Sequence, residues 1–236
     1  MLGLGVGFYK LAGNDYPGGE WGPTELGSKL IAWYQYNTGV STTTVGETSG
    51  LITRWSDQSG NNNSLTPSAS DNADVMPALH ADGSVFFQQT DDTLEFTAGL
   101  SLGKFAIYGR FKCSNFNDVL LEKSNDAEFI KFQTTTEFRI QPGGGRKDMA
   151  ISGDANLAND TKFTAGFERN ASGDIFVSAN GLASTTSANT AISNTVDVQE
   201  VSPANAGAFD VFEFIICNDG LSSDERTELN AYLDAI

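Results

Sequence analysis

Few residues in this chain have the types and spacing to do chemistry. Asp210 and Glu213, in the segment A-F-D-V-F-E (208–213), are two carboxylates inside an apolar run. Acid–base cleavage of a glycosidic bond with retention needs two carboxyl groups about 5 Å apart. Side chains alternate along a strand, so a spacing of three places these two on opposite faces. His80 is the only histidine. It sits beside Leu79 and close after Pro77, and no Gly-x-Ser-x-Gly turn accompanies it, so a nucleophilic triad is not expected. One histidine also excludes a His-based metal site by count. The expected catalytic set is empty.

Binding chemistry is better represented, and it falls in loops. Residues 55–63 read W-S-D-Q-S-G-N-N-N. A large apolar ring is followed at once by residues that bond their own backbone or accept positive φ, which describes a core strand ending in a tight turn. Asn61, Asn62, Asn63, Gln88 and Gln89 are the amides that such loops would present to a sugar. The nearest rings, Trp55, Phe86 and Phe87, also have the character of core residues. Asp57, Asp91 and Asp92 are hard oxygen donors that loops could bring together around calcium. Asp57 equally suits an Asx turn, and Asp91–Asp92 an ordinary one. The expectation is therefore no cofactor, with calcium as the one ion worth weighing.

These loops need a β framework, and the composition supplies one. Of 236 residues 25 are Gly and 16 are Phe, with 39% hydrophobic content. A chain of that length buries a sizeable core, and one all-β domain is the expectation. Strand signals fall at 30–36, 51–55, 85–87, 93–96, 104–112, 119–122, 128–133, 137–140, 162–169, 174–179 and 209–217. In the 104–112 run Phe105, Ile107 and Phe111 point one way and Arg110 and Lys112 the other, which predicts one buried and one solvated face. Gly143–Gly145 before Arg146 and Lys147 read as a loop tip. Ser222 and Glu225 have capping-box spacing, and Leu229, Tyr232, Leu233 and Ile236 recur at helical intervals, so one short amphipathic helix closes the chain. Cys113 and Cys217 lie in apolar runs and read as buried free thiols, although one bridge between adjacent strands is compatible with the sequence.

The first residues differ from the rest. Leu2, Leu4, Val6 and Phe8 alternate with Gly3, Gly5 and Gly7, a strand pattern with one apolar and one bare face. A Gly- and Pro-rich stretch follows. Residues 1–22 therefore read as an N-terminal arm and connector, and 23–236 as the sandwich domain. An ordinary first strand is the competing reading of the same pattern. The opening residues make a poor secretion signal. No apolar run nears the ~20 residues that span a bilayer. The formal net charge of −16 repels phosphate backbones, so neither nucleic acid nor a membrane is an expected partner.

Four segments together resemble concanavalin A-like, laminin-G-like jelly rolls of the kind found in tailed-phage virion proteins. P-T-E-L-G-S-K-L-I-A-W-Y (23–34) is similar to that family's opening strand, and 55–63 to its tryptophan–aspartate–serine–glycine–asparagine turn. V-F-F-Q-Q-T-D-D-T-L-E-F (85–96) resembles its F-D-G-x-D-D-x-L segment, with Gln88 and Gln89 in place of Asp-Gly. Residues 212–233 resemble its last strand and closing helix. The resemblance implies an antiparallel two-sheet jelly-roll sandwich. Enzymes of this fold often carry E-x-D-x-E or E-x-D-x-x-E on one strand, and here Ala208 stands where the first Glu would be, so the implied protein is not an enzyme. The implied function is a virion structural protein, a capsid decoration (cement) protein on the outer surface of the capsid. Leu2, Leu4, Val6 and Phe8 would contact the major capsid or another virion protein, and the protein would be a homo-oligomer. The alternative is a carbohydrate-binding, lectin-like module of a tail fibre or surface protein, recognising surface glycans.

Overall fold

The computed structural model describes residues 21–88, 91–123, 128–143, 145–201 and 208–236. The first strands are β1 (Leu30–Tyr34), β2 (Val40–Val45), β3 (Thr48–Trp55), β4 (Leu65–Thr66), β5 (Ala78–Leu79) and β6 (Val85–Phe87). Next come β7 (Leu94–Leu102), β8 (Phe105–Cys113), β9 (Val119–Glu122), β10 (Phe129–Thr134), β11 (Glu137–Gln141) and β12 (Lys147–Ala150). The last are β13 (Lys162–Arg169), β14 (Asp174–Ala179), β15 (Leu182–Ala183), β16 (Ala188–Asn189), β17 (Val196–Val201) and β18 (Phe209–Cys217), followed by the helix α1 (Ser223–Asp234). Among the described residues the chain is all-β with one short C-terminal helix, and every strand pairing is antiparallel.

The pairings make two runs. One passes from β2 through β3, β4, β7, β17, β9, β10 and β11 to β12. The other passes from β1 through β18, β8 and β13 to β14. Short β5 bonds to β3 on one side and β6 on the other, and β6 bonds to the start of β18, so the β5–β6 hairpin joins the runs. Rings from the two runs meet tilted or edge-on. Phe132 of β10 lies 5.1 Å from Phe111, 5.3 Å from Phe163 and 5.7 Å from Phe167 between ring centroids. Strands that are not neighbours in the pairing touch through their side chains, so the sheet closes over a shared aromatic core, an arrangement consistent with an all-β sandwich.

Trp55 is 1% exposed within that core. Its ring lies 5.6 Å from Tyr34 and 5.8 Å from Phe214. The turn that follows is wired onto β1. Asp57 Oδ1 accepts the backbone N–H groups of Trp33 (3.0 Å) and Ser59 (2.8 Å), and Oδ2 accepts from Ser59 Oγ and the Asn63 N–H. With four donors on one carboxylate, the loop has one favoured geometry.

The outer face of β8 is not solvated along its length. Ala106 and Tyr108 join Trp33, Ile215, Cys217, Leu229 and Leu233 in a second apolar cluster beneath α1. Only Arg110 and Lys112, near the strand's end, meet the expectation of a polar face. Leu229 and Leu233 are one helical turn apart and each fully buried, worth about 1.5–3 kcal/mol apiece. The helix begins in the expected capping box: Ser222 Oγ accepts from Glu225 N, and Glu225 Oε2 accepts from Ser222 N. Both cysteines are free and buried, Cys113 in the main core and Cys217 in the second cluster. Burial pushes the Cys217 thiol up to about 12.

Seven strands were not legible in the sequence: the two-residue β4, β5, β15 and β16, too short to show a pattern, and the longer β2, β12 and β17. β2, read as V-S-T-T-T-V, has no apolar face to announce it and is largely exposed. β12 and β17 lie among charged and small residues, and their pairing with neighbours, more than their own pattern, makes them strands.

Candidate ligand-binding site

The β5–β6 hairpin positions most of the accessible chemistry. A cleft of about 170 Å³ lies beside it, lined by Thr48, Leu51, Ala73, Asp74, Met76, Ala78, Phe86, Gln88 and Asp92. Its apolar part is firm, because Leu51 and Met76 are each 2% exposed. Its polar rim is shaped by local bonds. Asn72 caps the short turn 73–75 by accepting from the Asp74 N–H at 3.1 Å. Asp92 Oδ2 accepts the Gln88 N–H at 2.7 Å, closing the loop after β6.

Phe86 also borders a polar cluster. The His80 ring stacks on Phe86 with centroids 4.0 Å apart, and His80 Nδ1 lies 3.1 Å from Asp210 Oδ1. Ser84 Oγ lies 2.7 Å from Asp210 Oδ1 and 2.7 Å from Asp82 Oδ1. Lys112 Nζ bonds Asp210 Oδ2 at 2.9 Å. That bond raises the Lys112 ammonium above its ordinary pKa, against the opposing effect of burial. Burial works to raise the Asp82 carboxyl, but hydrogen bonds from Ser84, with Lys112 and His80 nearby, outweigh it and hold Asp82 below the usual range. The hairpin turn is tight: His80 N donates to Ser84 O, Gly83 N donates to His80 O, and Tyr36 Oη donates to Asp82 O. Gly83 has φ +84°, and a Cβ there would come within 2.8 Å of the Tyr36 ring.

The second carboxylate of β18 has a different setting. Asp210 pairs with Lys112 and Glu213 with Arg110, because the register shifts at a bulge between Val211 and Glu213. Lys112 and Arg110 are two residues apart on β8, so Asp210 and Glu213 share one face, contrary to the expectation from simple alternation. Glu213 is 1% exposed. Its carboxylate accepts from Trp33 Nε1 (2.7 Å), Tyr36 N (2.8 Å) and Tyr232 Oη (2.6 Å). Burial raises its pKa although all three bonds oppose the rise. Its contacts tie β1 and α1 to β18.

The amides expected to meet a sugar are dispersed. Asn61 Nδ2 donates to Leu30 O at 2.9 Å and Asn63 Nδ2 to Ile31 O at 2.6 Å, so both fasten the 55–63 turn to β1. Asn62 is exposed in the left-handed region, φ 62°. Gln88 lines the cleft, and none of the three asparagines does. Gln89 lies outside the described residues, as do Leu2, Leu4, Val6 and Phe8. Asp57 has both oxygens engaged by its own loop. Among the described residues, the group of three potential ligand side chains that comes together is His80, Asp82 and Asp210 rather than Asp57, Asp91 and Asp92. The lone-histidine count missed this group, since two of its ligands are carboxylates from distant or turn positions.

No family model and no curated protein sequence matches the chain. Solved structures do. A botulinum neurotoxin serotype D ligand-binding domain in complex with N-acetylneuraminic acid is 12% identical, with a TM-score of 0.59 over 88% of this chain and 51% of that one. The receptor-binding domain of botulinum neurotoxin type G is 12% identical, with a TM-score of 0.55 over 87% of this chain and 51% of that one. The receptor-binding domain of botulinum neurotoxin D is 12% identical, with a TM-score of 0.58 over 88% of this chain and 53% of that one. The chain thus spans about half the length of the structures it matches, and at this identity the likeness is one of fold.

Proposed function

We propose that this protein is a non-enzymatic, lectin-like carbohydrate-binding module of a tail fibre or surface protein, built on a two-sheet jelly roll. The observation that carries this reading is the cleft beside β5–β6. Ala78 and Phe86, backed by the buried Leu51 and Met76, offer apolar surface, and the exposed Thr48, Asp74 and Gln88 offer hydroxyl, carboxylate and amide groups. A pyranose presents the same two characters, an apolar C–H face and a hydroxyl edge. At about 170 Å³ the cleft is below the ~300 Å³ of drug-sized pockets and suits one sugar ring. One structure of similar fold is a complex with N-acetylneuraminic acid, which supports glycan recognition as the class of function. The rim here carries Asp74 and Asp92 and no basic residue, which favours a neutral sugar over an anionic one.

Titration of the full chain with neutral and sialylated oligosaccharides tests this. Neutral glycans should bind, and Gln88→Ala, a change at an exposed side chain, should weaken them tenfold or more. Absence of binding to any neutral glycan would sink the reading, and unchanged affinity in the variant would move the site elsewhere. The capsid-decoration reading rests on Leu2, Leu4, Val6 and Phe8. Deleting residues 1–12 distinguishes the two: a decoration protein loses particle association, whereas a lectin keeps its glycan affinity.

A further inference from the structure

The cluster beside Phe86 is built from three chain segments: His80 and the turn after it, Asp210 on β18, and Lys112 on β8. One nitrogen and two carboxylate oxygens, from His80, Asp82 and Asp210, lie within 4.8 Å of one another. His80 Nδ1 and Asp210 Oδ1 are 3.1 Å apart. Two ligands bound to zinc at about 2.0–2.2 Å, with tetrahedral to octahedral angles between them, are separated by roughly 2.9–3.5 Å. The His80–Asp210 spacing fits two ligands on one ion as well as the hydrogen bond the pair makes here, and Asp82, whose oxygen lies within 4.8 Å, would draw in on binding.

The protons point the same way. Ser84 Oγ is 2.7 Å from an oxygen of each aspartate, yet a hydroxyl has one hydrogen to give. One of those two close contacts between oxygens is therefore left without a hydrogen, beside two carboxylates. Lys112 ion-pairs with Asp210 through its other oxygen, Oδ2, which leaves the Asp82 carboxylate as a second negative charge beside the pair. Two carboxylates set against one ammonium leave room for a further positive charge beside His80. The groups are also held in place without an ion. The imidazole is stacked on Phe86, Tyr36 holds the Asp82 carbonyl, and Asp210 is 2% exposed. Access is open, because the His80 side chain is 40% exposed and Asp82 lies on the surface.

We propose that His80, Asp82 and Asp210 bind a first-row divalent cation, with Ser84 Oγ as a neighbouring neutral donor. A set of one imidazole and two carboxylates suits zinc or manganese, whereas calcium takes six to eight oxygens. The site is separate from the sugar cleft: both touch Phe86, but no proposed ligand lines the cleft. Failure of one assignment therefore leaves the other standing.

Isothermal titration calorimetry on the untagged, chelator-treated full chain tests the site, using ZnCl2, MnCl2 and CaCl2 in parallel. Wild type should bind one equivalent of Zn2+ per chain. His80→Ala and Asp82→Asn, both at accessible side chains, should each weaken it tenfold or more while circular dichroism confirms the fold. Ca2+ should bind more weakly than Zn2+. No saturable Zn2+ binding, or equal binding in wild type and both variants, would overturn the site. Tighter binding of Ca2+ than Zn2+ would overturn the ligand assignment.

Discussion

Asp210 and Glu213 lie three residues apart on one strand and, through the bulge between them, on one face. Glu213 is roofed by Trp33, Tyr36 and Tyr232, and its donors bind three parts of the fold together. Asp210 is as deeply buried, yet its oxygens meet Lys112, Ser84 and the exposed ring of His80 at an open rim. The same side-chain chemistry thus serves cohesion where α1 covers the sheet and is available for binding where it does not. What lies on top of a carboxylate decides its role more than its own burial.

The covered side should be the costlier to disturb. Glu168, 2% exposed, accepts from Tyr108 Oη, Leu221 N and two nitrogens of Arg226, and so fastens the start of α1. Glu168→Ala strands these donors and should cost about 3 kcal/mol in urea unfolding. A loss under 1 kcal/mol would mean that the helix is held by its apolar face alone.

The pH dependence of Glu213 comes next. Its folded pKa lies above the ordinary value of 4.5, so its contribution is complete below that value and is lost as pH rises through the folded pKa. Between pH 4.5 and neutrality wild type should lose stability relative to Glu213→Gln, by at most about 1.4 kcal/mol per pH unit. Parallel pH curves for the two proteins would refute this.

Smaller again is the helix cap. Ser222→Ala removes one half of the capping box and should cost about 1 kcal/mol, read as a lower melting temperature. At the open rim, His80→Ala and Asp82→Asn should change stability by less than about 0.5 kcal/mol, whatever they do to ligand affinity. A large loss there would show that the rim, like the covered side, is built for cohesion.

Much of the framework could be read from single residues. β13, β14 and β18 fall where their alternating or continuous apolar runs placed them, and the capping box at Ser222 and Glu225 forms as spaced. Trp55 and Asp57 do what their types suggest, one filling the core and the other shaping the turn. The site was harder to read. Asn61 and Asn63, plausible as sugar ligands, spend their amides on β1 carbonyls. His80 gave no signal because its partners come from turns and a strand up to 130 residues away. Asp92 and Gln88 lie four residues apart and do meet at the cleft, through a backbone N–H that no sequence pattern marks.

Sequence alone determined the class of the fold, the core aromatics, the rigid 55–63 turn and the closing helix, because each follows from local spacing and from the burial of apolar side chains. Tertiary structure alone decided which carboxylates share a face, which are covered, and that His80, Asp82 and Asp210 converge. The physical reason is register. One extra residue in β18 at the bulge reverses the alternation that sequence spacing assumes. Only long-range pairing, of β18 with β8, sets where that residue falls, and the pairing of β6 with β18 helps set what Asp210 meets.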